Sequence, residues 1–364
     1  MSDLSGPAML EAWRSEAETM WRDLKSGNEE ATWRFKWEHP RFRRRPVSEV
    51  DPATLDLVDA RLVVARQHGF EDWESLVAFT GRLQRDAGVA RFEAAVETVV
   101  SGDLAALEAM LRVDSELAKA RSSRRHHATL LHYLGANGVE GERQKTPSNA
   151  VEIARALLES GAEADATADL YDRPCTTMSM LVSSSHPAEA GLQGSLATTL
   201  LDYGAALEGL EGNGSPLMTA LVFGYLDTAK LLAQRGAKVD TLETAAGLGQ
   251  ADLVARLLPG AGNASRQFAL ALAAQHGQIE VLRLLLDAGE DPNRYNPEGH
   301  HPHTTPLHQA VWSGHADAVA LLVERGARLD LKDTLYQGTP LDWALYAGRT
   351  EIADYLRGRG APQD

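Results

Sequence analysis

The feature that most constrains this chain is a motif that returns at a fixed interval. Thr305-Pro306-Leu307-His308-Gln309-Ala310 is followed by Gly314, then Leu321-Leu322-Val323, then Gly326-Ala327. Thr339-Pro340-Leu341-Asp342-Trp343-Ala344 is followed by Gly348, then Tyr355-Leu356, then Gly360-Ala361. Thr305 and Thr339, Gly314 and Gly348, and Gly326 and Gly360 are each separated by 34 residues. Three landmarks in register define a repeat. A unit of that size cannot bury its apolar side alone, so the chain must stack one unit on the next.

The same frame recurs upstream. Ser215-Pro216-Leu217 leads to Gly224, Leu231-Leu232 and Gly236-Ala237, and Ala269 to Ala274 leads to Gly277, Leu284-Leu285-Leu286 and Gly289. Thr129-Leu130-Leu131-His132 leads to Gly138, an interruption, then Leu157-Leu158 and Gly161-Ala162. Each landmark has a local cause. Threonine caps a first helix, and proline suits its first turn because the missing N–H was an orphan donor anyway. Gly314 falls where that helix must stop in a left-handed conformation. Val319, Leu322 and Val323 share one face of a second helix and predict a buried stripe.

These landmarks resemble the ankyrin repeat, whose signature is a T-P-L-H-x-A turn and helix, a glycine, and a second helix ending in L-L-x-x-G-A. The resemblance implies an all-α solenoid of helix-turn-helix units with β-turn tips. About eight units are expected over residues 90–364, degenerate at 166–212 and 241–262, behind a helical segment at 1–86. The unit beginning near Phe92 lacks the entry turn, and the last carries Arg357 where its predecessor has Val323; both are expected to cap the array. Insertions interrupt it at 139–147, 183–194 and 293–303.

Before the array, Leu10, Trp13, Ala17, Trp21 and Leu24 share a helical face. A second helix is expected over Glu29 to Trp37, a third opened by Asp51-Pro52 and closed by Gly69, and a fourth introduced by Asp72-Trp73. The stretch Leu62 to Trp73 resembles a helical segment that precedes ankyrin repeats in many bacterial proteins, and brings no activity with it.

Composition narrows the partners. The formal net charge is −15, a field that repels nucleic acid and anionic lipid, so neither nucleic acid nor a membrane is expected. The basic runs Arg41-Phe42-Arg43-Arg44-Arg45 and Arg121 to Arg125 read as solvated or carboxylate-paired surface. No apolar run approaches the roughly 20 residues that span a bilayer. Cys175 is the single cysteine, and Met1 to Arg22 carries too many acids for a secretory signal; a cytoplasmic protein is expected.

What the family resemblance implies about function is binding of a partner protein or peptide. On such arrays the concave side carries the turn tips and the residues just before the mid-repeat glycine. Here those are Asn137, Phe223, His276, Trp312 with Ser313, and Tyr346, joined by the turn residues Thr304 and Tyr336. Aromatic residues are enriched among interface anchors. Against this, each ring can simply pack between units.

The rival reading is a ligand pocket or enzyme built from the insertions, with His132, Tyr133, Asn137, Arg143 and His186 as lining residues. A purely structural assembly role is the third. No nucleophile elbow, phosphate loop or dinucleotide loop occurs, so no catalytic residue and no cofactor is assigned. No metal is assigned either. His132 and His308 fill the histidine of the repeat's own turn, where they are expected to bond neighbouring backbone, and His300, His301 and His303 are expected to be solvated. Partner identity and oligomeric state stay open.

Overall fold

A computed structural model describes residues 6–43, 45–211 and 214–362; Arg44 of the first basic run lies outside the described residues. The chain divides into two compact units, 1–213 and 214–364.

The first unit begins with α1 (Gly6–Lys25), α2 (Glu29–Glu38), α3 (Leu57–Gln67) and α4 (Trp73–Arg85). Of the face forecast for α1, Trp13, Ala17 and Leu24 are buried and Leu10 and Trp21 partly buried, with Met20 joining them, against Phe35, Val63, Val64, Phe70 and Phe79. The third helix starts later than expected. Asp51-Pro52 opens only a short 3-10 turn, and Asp56 caps α3 through a capping box with Asp59.

Three helix pairs follow in this unit: α5 (Ala87–Ser101) with α6 (Leu104–Val113), α7 (Leu130–Gly135) with α8 (Ala150–Glu159), and α9 (Thr177–Leu181) with α11 (Gln193–Asp202), while α10 (Ser185–Glu189) lies in the insertion between the last two. The stretch read as degenerate contains a hairpin that the periodicity did not disclose. Strand β1 (Thr167–Leu170) pairs antiparallel with β2 (Arg173–Thr176), Leu170 opposite Arg173. Tyr171 and Asp172 both take positive φ, at 53° and 60°, as a two-residue hairpin turn requires.

The N-terminal helices are locked to these repeats by buried charge. Arg124 is fully buried; it donates to the His68 carbonyl at 2.6 Å and to Glu93 at 3.0 Å, and pairs with Glu140. Its guanidinium lies over the rings of Phe70 and Phe79, 4.9 and 4.7 Å from their centroids. Arg143 adds contacts to Glu93 at 2.7 Å and Glu97 at 2.8 Å. Burial alone would raise the Glu140 carboxyl, but Arg124, His126 and Arg143 outweigh it and hold the group far below the usual range. Nearby, His68 donates to Glu142 at 2.9 Å and Glu16 at 2.8 Å; burial opposes the charge, yet the two carboxylates raise its pKa to about 9.

The second unit holds five helix pairs among the described residues. They are α12 (Pro216–Val222) with α13 (Leu226–Gln234), α14 (Leu242–Gly247) with α15 (Ala251–Leu257), α16 (Asn263–Gln275) with α17 (Ile279–Asp287), α18 (Pro306–Ser313) with α19 (Ala316–Glu324), and α20 (Pro340–Tyr346) with α21 (Thr350–Gly358). The inner helices α12, α14, α16, α18 and α20 contact one another in that order, as do the outer helices α15, α17, α19 and α21. Small residues let them approach: Ala269, Ala271, Ala273 and Ala274 of α16 are all buried. Val319 and Leu322 fill the core as the stripe requires, with Val323 partly buried beside them. Gly314 sits at φ 80°, and the following N–H of His315 returns to the Ala310 carbonyl at 3.0 Å. This is an all-α ankyrin-repeat solenoid.

The buried ion cluster gives a direct test of the first unit. Arg124→Ala leaves Glu93 and Glu140 short of a cation in a dry site, and should cost about 3–5 kcal/mol. Urea denaturation followed by circular dichroism measures it; a loss below about 1 kcal/mol would mean that the cluster contributes no net hold.

Candidate protein-interaction surface

The surface rests on the turn that opens each repeat. In α18, the Thr305 amide and hydroxyl donate to His308 Nδ1, at 3.3 and 2.8 Å, and His308 Nε2 donates to the Gly338 carbonyl at 3.2 Å. The carbonyl can only accept, so the proton sits on Nε2. His132 repeats the arrangement: Thr129 donates to Nδ1, and Nε2 donates to the Cys175 carbonyl at 3.1 Å. Burial holds both imidazoles neutral, with pKa values lowered to about 4. His132 and His308 therefore each tie their own unit to the next unit's tip, as the motif implied.

The Gly338 tip that His308 holds is organised around one carboxylate. Asp333 Oδ1 accepts from the amides of Leu335 at 2.9 Å and Tyr336 at 2.6 Å. Its Oδ2 accepts from the Gly338 amide at 2.9 Å and from the Trp343 indole Nε1 at 3.0 Å. Burial would raise this carboxyl, but the four donors outweigh it and lower its pKa.

Trp343, oriented by that bond, is the hub of a ring cluster. Its ring meets Trp312 edge-on at 5.7 Å and Tyr336 at 6.5 Å, and Trp312 stacks on Tyr346 at 6.3 Å with 19° between planes. Tyr346 is 86% exposed, Tyr336 58% and Trp312 46%. Leu345 beside them is also exposed. Arg349 donates to the Trp312 carbonyl at 3.0 Å, fixing the end of α18 under the stack. The outcome is a continuous, open aromatic face on the ends of α18 and α20 and the tip before α20. Ser313 is half-buried at its margin. Phe223, 48% exposed, ends α12 at the other side of α14 and α16.

Several expectations need correcting. His276 is buried, and its Nε2 donates to the Leu221 carbonyl at 2.8 Å; with its pKa lowered to about 4 by burial, it holds α16 to α12 and offers nothing to a partner. Thr304 is fully buried, accepting from Gln309 at 2.8 Å and Asn296 at 3.0 Å. His300 is not solvated: it is fully buried and stacks on Phe268 at 5.2 Å, while His301 and His303 are partly buried.

Asn137 belongs to the first unit, half-buried, donating to Ser183 at 2.8 Å and accepting from the Tyr171 hydroxyl. The second insertion meets the end of α7 there, and the Ser184 hydroxyl donates to the Ala136 carbonyl at 2.9 Å. Four of the five residues offered as pocket lining are nevertheless spent within the fold. His132 makes the turn bond, Tyr133 donates to Glu140 at 3.3 Å, Arg143 is in the ion cluster, and Asn137 bridges the loops. His186 is exposed on α10. Cys175 is buried with its thiol on the Leu170 carbonyl, and burial raises its pKa. Among the described residues, no three His, Cys, Asp or Glu side chains converge as a metal site, and no helix is long and apolar enough to cross a membrane.

Trp343 and Asp333 were missed from the sequence. Trp343 fills the variable position of its T-P-L-D-W-A turn, and an indole there was the available signal.

Comparison with known proteins agrees with this architecture. A family model described as ankyrin repeats (3 copies) matches residues 242–333 and 298–363. Cyclin-dependent kinase 4 inhibitor B of Bos taurus is 34% identical over 117 residues, covering 24% of this chain and 88% of that protein. Cyclin-dependent kinase inhibitor 2A of Homo sapiens is 32% identical over 130 residues, covering 27% and 83%. Ankyrin repeat and SAM domain-containing protein 6 of Mus musculus is 37% identical over 92 residues, covering 24% and 10%. The chain belongs to the ankyrin-repeat family.

The neutral turn histidine has a pH consequence. His308 titrates near 4 when folded and near 6.5 when unfolded, so between those values only the unfolded chain binds the proton. Its stabilisation is complete above pH 6.5 and declines as pH falls toward 4, by up to about 1.4 kcal/mol per unit. Denaturant midpoints at pH 7 and pH 5 should converge in His308→Gln relative to the parent chain. Equal pH dependence in both proteins would refute the assignment.

Proposed function

We propose that this chain is a recognition scaffold that captures a partner protein or peptide on the aromatic face of its second unit, formed by Tyr336, Trp312 and Tyr346 around Trp343. The observation that carries this reading is the exposure of stacked rings on rigid helix ends. Large rings normally bury themselves, and here Tyr346 stays 86% exposed while its neighbours are pinned from behind by Asp333 and Arg349. Pre-organised aromatic anchors lose little freedom on binding, which is why they dominate interface energetics.

Family membership supports the same reading. Two of the relatives are named as inhibitors of cyclin-dependent kinases, and thus act on another protein. Phe223 extends the surface along the inner helices, and Ser313 supplies a hydrogen-bonding rim; His276 and Thr304 are left out because they are buried. Asn137 is kept only as a rim residue of the first unit's hairpin. The lone Cys175, which has no second cysteine to pair with, favours a cytoplasmic setting.

Replacing Trp312 and Tyr346 together by alanine should reduce capture of partner proteins from a native lysate at least tenfold, while helicity is retained. Quantitative mass spectrometry of the bound fraction, with circular dichroism as the folding control, measures both. Undiminished capture by the folded double variant would remove this face from the site.

A further inference from the structure

The third insertion is not a free loop. Its base is closed by the Asn296 amide donating to the Thr304 carbonyl at 2.8 Å. Two turns fill it, with the His300 amide returning to Pro297 at 3.1 Å and the Thr304 amide to His301 at 3.0 Å. Pro297 to Gly299 form the outer end, and His300 folds back beneath them onto Phe268, its ring 16° from parallel. His301 adopts φ 45°, in the left-handed region, and its Nε2 donates to the Val222 carbonyl at 3.2 Å, at the end of α12. His303 meets Tyr336 edge-on at 6.0 Å. The loop thus joins α16, through His300 on Phe268, to the end of α12, through His301 on Val222.

We propose that residues 296–304 form an acid-releasable strap over the inner helix face of the second unit, closed while its imidazoles are neutral and opened when they take up protons. The geometry makes closure marginal and proton-sensitive. His300 is buried with both ring nitrogens lacking a hydrogen-bond partner; the Ala271 carbonyl lies near without adequate geometry. An imidazolium there would bring a charge and a second N–H into a site that satisfies neither. His301 carries the strain of its positive φ for one bond. The titratable groups facing His300 are His301 and His276, neither able to stabilise added positive charge. His301 is met by the Val222 carbonyl, and His303 by His301 and, with the opposite effect, Asp333. Glu298 and Arg294 are exposed on the loop itself. Burial lowers all three imidazoles, His300 to about 3. Opening uncovers Phe268 and joins Phe223 to the Trp312 face along the inner helices.

The test is hydrogen exchange by mass spectrometry on the full chain at pH 7.5 and 5.5, corrected for intrinsic rates. One imidazole kept neutral when docked and free to protonate near 6.5 when released weakens docking about tenfold at pH 5.5. Peptides covering 293–304 should therefore lose at least about tenfold protection in a way that depends on His300, whereas any acid loss in α16 and α18, where His276 and His308 are also buried neutral, should not depend on it. His300→Phe retains the stacked ring and removes the proton; it should blunt most of the response, and His301→Gln part of it. His301→Gln also serves as the second variant if His300→Phe is already open at pH 7.5. Unchanged protection of 293–304 at pH 5.5, or a full acid response of that segment in both variants, overturns the proposal.

Discussion

A single imidazole proton organises the repeat. With Thr305 donating to Nδ1, His308 must carry its proton on Nε2, and that N–H reaches the Gly338 carbonyl of the following tip. One side chain thereby completes the cap of its own helix and fixes the position of the next unit's turn. His132 does the same for the Cys175 carbonyl in the first unit. Hydrophobic burial between helices is non-directional and would tolerate sliding. The threonine–histidine bridge supplies the direction, and Asp333 extends it by drawing the tip's amides and the Trp343 indole onto one carboxylate. The exposed rings at the ends of α18 and α20 inherit their placement from this chain of polar contacts.

Much of this was legible in the sequence because the landmarks are local. A threonine cap, a first-turn proline and a left-handed glycine each depend on a few neighbouring residues, so Thr305, Pro306 and Gly314 could be read without knowing the fold. The rings at Trp312 and Tyr346 follow from the same register. The rest depends on partners far along the chain. His276 looked like a concave-face residue by position, yet its ring reaches the Leu221 carbonyl and is buried there. Trp343 is a hub only because Asp333, ten residues earlier, captures its indole. The hairpin at Thr167–Thr176 was hidden because Tyr171 and Asp172 adopt a turn usually marked by glycine or asparagine.

The insertions show the same limit more sharply. Charged loops read as candidate pocket walls, but Glu140 and Arg143 sink into the first unit and close a buried cluster with Arg124 and Glu93. A buried ion pair contributes little net stability against an apolar alternative, while removal of either member is costly. Such a cluster commits the N-terminal helices to one seating on the repeats. The insertion at 293–303 is likewise drawn in, through His300 on Phe268, so a run of histidines that composition would place in solvent becomes part of the packing. In both units departures from regular spacing are spent on tertiary contacts, while Trp312, Tyr336, Leu345 and Tyr346 leave exposed apolar area on the last two helix pairs and the tip between them.

The most direct measurement of this account is the tautomer and charge of the two turn imidazoles, read by long-range nitrogen-15 NMR correlation of His132 and His308 at pH 6. Both should be neutral, with the proton on Nε2, because the threonine donors occupy Nδ1 and a backbone carbonyl accepts from the other nitrogen. A charged ring, or a proton on Nδ1, would contradict the bridge between units on which the placement of the aromatic face depends.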